Sequence, residues 1–75
     1  MKRYANLGGK SAVAFYNIEK DAVTIRFANH SVFEYNNQSA APANISKMKT
    51  LAIAGKGLGT FIETNLKDRF SRKIR

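Results

Sequence analysis

The chain has 75 residues, with thirteen Lys and Arg against five Asp and Glu, for a formal net charge of +8. At that length one small core is the limit, and with no cysteine and a single histidine neither a disulfide framework nor a Cys- or His-rich metal site can brace it. Hydrophobic residues at 44% suffice for a folded domain. No apolar run reaches the length of a membrane span, and the basic start Met1-Lys2-Arg3 leads into no apolar signal core, so the expectation is a cytoplasmic protein without membrane insertion.

Positions 1–10 carry Lys2, Arg3 and Lys10, end in Gly8-Gly9-Lys10 and show no periodicity, which predicts an irregular basic arm. In 11–18, Val13, Phe15, Tyr16 and Ile18 suit a strand, closed by the polar turn Glu19-Lys20-Asp21. Positions 22–27 alternate cleanly, with Val23, Ile25 and Phe27 on one face and Thr24 and Arg26 on the other. Asn29-His30 forms the tip of the next turn, both residue types tolerating the left-handed backbone a tight hairpin needs. A third strand follows at 31–35, with Phe33 and Tyr35 alternating against Val32 and Glu34, and the polar run 36–39 reads as a loop.

Pro42 fits the first turn of a helix, and Ile45, Met48, Leu51 and Ala52 keep helical spacing through Ala54. Gly55 is placed to end it with positive φ. A second helix is expected from Thr60, where Thr60 and Glu63 have capping-box spacing, to Phe70, with Ile62, Leu66 and Phe70 as its buried stripe. Positions 71–75 read as a frayed basic tail. The predicted architecture is α+β: a three-stranded antiparallel meander followed by two helices packed on one sheet face (βββαα). It forms one domain over 11–70, between the arm 1–10 and the tail 71–75.

The stretch Gly55-Lys56-Gly57-Leu58-Gly59-Thr60 invites a nucleotide-loop reading, but its spacing fails both standard motifs. Lys56 comes too early for a Walker A loop, and Thr60 and Ile62 stand where a dinucleotide fingerprint needs its third glycine. A tight helix-to-helix corner accounts for the glycines on steric grounds alone. The functional reading is an anion site, with the N–H groups of residues 59–62 at a helix start and Lys56 beside them. No cofactor motif is present. Catalysis finds no constellation: His30 sits in a turn, and Glu19, Asp21, Glu34, Glu63 and Asp68 are scattered.

The charge points to nucleic acid. Lys67, Arg69, Arg72, Lys73 and Arg75 make the last nine residues strongly basic against Asp68 alone, and Lys47, Lys49 and Lys56 surround the first helix and the corner. Such groups bind phosphates with salt-sensitive, largely sequence-blind affinity. The candidate nucleic-acid or anion contacts are therefore Lys56, Gly57, Gly59, Thr60, Lys67, Arg69, Arg72, Lys73 and Arg75. Phe15, Phe27, Phe33, Tyr35, Phe61 and Phe70 are needed mostly as core, which leaves Tyr4 and Tyr16 as the expected free rings for stacking.

Taken in order, the residues resemble the small KTSC domain over about 11–70. Ser11 opens the first strand, Tyr16-Asn17 stands where the family usually has Tyr-Asp, and Val23-x-Ile25-x-Phe27 follows. Asn29-His30 stands where Asn-Gly is common, Phe33-x-Tyr35 is similar to the family's Tyr-x-Tyr, and Pro42 opens a helix. Ala54 and Gly59-x-Phe61-Ile62-x-x-x-Leu66-Lys67-x-x-Phe70 resemble its ending. Gly57 replaces the family's serine and Glu63 its asparagine. The resemblance implies a domain that stands alone in small bacterial and phage proteins or ends lysyl-tRNA synthetase-like proteins; it carries no established activity and leans toward RNA. The expected function is thus a non-enzymatic basic module binding nucleic acid, RNA rather than DNA. The alternative is a protein-interaction or homodimerisation module using an open sheet face or edge strand.

Overall fold

The computed structural model describes residues 1–9 and 11–75; Lys10, counted above with the basic arm, lies outside the described residues. The chain is α+β, but among the described residues the sheet has five antiparallel strands in the order β1-β2-β3-β4-β5 rather than three, and there are three helices rather than two. The strands are β1 (Lys2–Arg3), β2 (Val13–Ile18), β3 (Ala22–Phe27), β4 (Val32–Asn36) and β5 (Arg72–Lys73). The helices are α1 (Asn37–Ala40), α2 (Pro42–Ala54) and α3 (Leu58–Asn65).

The meander β2-β3-β4 follows from alternation. Cross-strand partners share a face, so Tyr16, Ile25 and Phe33 lie in one row and Ile18, Val23 and Tyr35 in the next. This face carries the core. Val23 and Ile25 are fully buried with Ile45 and Met48 of α2 and Leu58 of α3, each worth roughly 1.5–3 kcal/mol of burial. The opposite face, with Phe15, Arg26 and Glu34, contributes nothing to that core. At the β3-β4 turn only His30 takes a positive φ, 72°; Asn29 instead accepts the Ser31 N–H on its side chain at 3.0 Å.

Three local expectations are corrected. Residues 37–40 form a turn of helix, not a loop, because Asn36 accepts the N–H groups of Gln38 and Ser39 while Ser39 Oγ accepts that of Asn36, a capping box built from Asn and Ser. The Thr60–Glu63 box is absent: α3 starts at Leu58 behind Gly57, with no side-chain cap, because the fully buried Leu58 belongs to the core. And α3 stops at Asn65 rather than Phe70. Its inward row is Leu58, Ile62 and Leu66, after which the chain turns so that the Ser71 N–H reaches Glu34 O at 2.6 Å and Arg72–Lys73 pair with β4. Phe70 still packs inward, its ring 4.8 Å from that of Phe33.

The first residues are equally anchored. Lys2 and Arg3 pair with Tyr16 and Phe15, and Tyr4, expected free, is 3% exposed. Tyr16, the other expected free ring, is 9% exposed.

Candidate functional site

The glycine stretch is where the N-terminal segment docks. Gly55 ends α2 at φ 79°, its N–H on Leu51 O, and its carbonyl accepts the Leu7 N–H at 2.7 Å. A Cβ on Gly55 would lie 2.7 Å from Ala5 Cβ, and one on Gly59 would lie 2.5 Å from Ser11 Oγ. Two of the three glycines therefore leave room for Ala5 and Ser11 to approach the corner closely. The Tyr4 hydroxyl accepts the Leu58 N–H at 3.1 Å in a buried bond. Phe61 N–H donates to Gly57 O at 3.0 Å, so of the four N–H groups first considered for an anion, the third lies inside the helix ladder.

Beside this corner opens a cleft of about 960 Å³ between the end of the core-bearing sheet face, the N-terminal segment and α3 with its following turn. Lys56, Gly57, Gly59, Thr60, Lys67 and Lys73 all line it. Arg69, Arg72 and Arg75 do not. Arg72 pairs across β5-β4 with Glu34, Nε to Oε1 3.5 Å, the one ion pair among the described residues. Arg69 and Arg75 are exposed away from the cleft, and Arg75 O accepts the Val32 N–H.

The cleft's wall is aromatic: Phe27, Phe33 and Phe70, expected mostly as core, do pack against the core but also line this space. Phe27 and Phe33 meet edge-on at 5.7 Å and 77°, Phe33 and Phe70 at 4.8 Å and 62°. All three rings are half-buried and line the cavity. Lys73 Nζ lies 5.7 Å from the Phe33 centroid, within cation–π reach. Tyr35 lines the same space, and burial pushes its hydroxyl up to about 12, so the phenol is neutral at any physiological pH. The sequence signal for this wall was Phe33-x-Tyr35 alternating at the end of a strand beside Phe27. Half-burial is the part that alternation does not encode.

His30 stands apart: its Nδ1 is 2.9 Å from Arg26 Nη2, on the far side of the sheet, where the Arg26 guanidinium also lies 5.4 Å from the Phe15 centroid. A guanidinium only donates, so Nδ1 is the acceptor in this contact. Chemically the cleft offers aromatic faces, ammonium groups and two carboxylates, Glu63 and Asp68. Comparison with protein-family models, curated proteins and solved structures finds no match to this chain.

Proposed function

We propose that this chain is a small non-enzymatic basic module that binds nucleic acid, RNA in preference to DNA, through phosphate contacts. The observation that carries the reading is the convergence of Lys56, Lys67 and Lys73, distant in sequence, on one aromatic-walled cleft of a chain with net charge +8. Unpaired ammonium groups around a concave surface concentrate positive potential and attract a polyanion. The resemblance to the KTSC domain supplies the lean toward RNA.

Titrating the protein into labelled tRNA and labelled single strands across a salt series tests the reading. Affinity should fall linearly in log–log form with salt, and Lys56→Ala, Lys67→Ala and Lys73→Ala should each reduce the slope by about one. No binding at low salt, where the attraction is strongest, sinks it. A second reading, self-association through the open sheet face, draws on half-buried Phe15 and Val32 there. A dimer that persists at high salt in light scattering would replace the first reading.

A further inference from the structure

Phosphate contacts alone need no cavity, since a flat basic surface neutralises a strand equally well. This chain instead keeps three phenyl rings only partly buried on a concave wall, although a core this small gains from burying each of them fully. The volume of about 960 Å³ lies within the range of small-molecule sites, apolar walls with a few placed polar groups. Two further groups make no sense for phosphate. Glu63 and Asp68 line the same cleft, and among the described residues neither has a Lys, Arg or His within ion-pair distance. Carboxylates repel phosphate, but they accept hydrogen bonds from an amine on a flat heterocycle.

From this, and resting on the nucleic-acid reading above, we infer that the cleft takes one unstacked base bearing an exocyclic amine. The base lies against Phe33 and Phe70, its amine is directed to Glu63 or Asp68, and the flanking phosphates lie toward Lys56 and Lys67. Cytosine, adenine and guanine each carry such an amine. Uracil has none; its edge offers one ring N–H between two carbonyl oxygens that a carboxylate repels. A duplex hides its base faces and binds through phosphates alone.

The test uses the whole chain and oligonucleotides of about eight residues, oligo-C, oligo-A, oligo-U and a duplex of equal length, compared by fluorescence anisotropy at one salt concentration. Oligo-C and oligo-A should bind about tenfold tighter than oligo-U. A 2-aminopurine placed mid-strand should change its fluorescence on binding to the unaltered protein, a readout that needs no variant. Phe70→Leu keeps an apolar side chain and should lower single-strand affinity at least about fivefold while leaving duplex affinity unchanged. The double change Glu63→Gln with Asp68→Asn removes negative charge and so strengthens every complex; its readout is the ratio of oligo-C to oligo-U affinity, which should approach one. Equal affinity for single strand and duplex, with a silent 2-aminopurine, overturns the base site while leaving phosphate binding intact. Single-strand preference with no discrimination against oligo-U overturns the amine contact. No binding to any of the four overturns both readings.

Discussion

The middle of this chain and its two ends reach order by different routes. Strands β2, β3 and β4 are five or six residues long, joined by short turns, and their inward side chains are set by local alternation. The ends have no such pattern. Lys2–Arg3 and Arg72–Lys73 are strands of two residues each, charged and exposed, that exist because a neighbour offers them a free edge. Yet Tyr4, directly after the first, and Leu66, six residues before the second, are among the most buried in the molecule. In a chain this short the ends complete the core rather than trail from it.

Four measurements would break or sharpen that contrast. If the N-terminal segment is part of the core, the most damaging change should fall where it docks. Gly55→Ala forces an L-residue to φ 79° and pushes a Cβ toward Ala5, and should cost about 3 kcal/mol in urea denaturation. Adding Ala5→Gly should recover the contact part and leave the backbone part, and a loss below about 1 kcal/mol would mean the segment is only loosely attached.

Next comes a pH effect from the meander itself. Below pH 10 the Tyr35 phenol is neutral in folded and unfolded chains alike, and its burial costs nothing in charge. As the pH rises past 10 the unfolded phenol ionises first, so stability drains away until the folded group follows at about 12. That span is worth roughly 2–3 kcal/mol. Tyr35→Phe should be less sensitive than the parent between those two pH values in alkaline melts, and identical curves would contradict it.

Tyr4→Phe keeps the ring but leaves the buried Leu58 N–H without its acceptor, which should cost about 1–2 kcal/mol in the same urea experiment. The smallest effect belongs to the C-terminal edge. Arg72→Ala removes an exposed ion pair to Glu34 and should change stability by less than about 1 kcal/mol, since β5 is held by backbone bonds. A larger loss would make that pair more than a surface contact.

The contrast also explains what could be read in advance. Val23 and Ile25, Pro42, and Gly55 each signal through a rule that acts within a few residues, and each stands where that rule puts it. Two-residue strands are too short for periodicity, and Lys and Arg have no preference for them, so β1 and β5 were illegible. Tyr4 is one aromatic in a polar run; its burial depends on a corner fifty-four positions away. Thr60 and Glu63 had the spacing of a cap and lost to the burial of Leu58, a case of packing overriding local preference. For the cleft, the lysines and glycines could be picked from composition. The aromatic wall could not be told from core, because Phe27 and Phe33 alternate as core residues do and all three rings also pack against the core.

The two outermost strands have a consequence for behaviour at high concentration. An antiparallel sheet ends in unpaired N–H and C=O groups that invite another strand, the route to fibrils. Here each outermost strand is two residues long and consists solely of Lys and Arg. An approaching molecule meets little ladder to extend and a pair of like charges at either side, so growth of the sheet by stacking copies edge to edge is blocked at both margins without a proline or a bulge there.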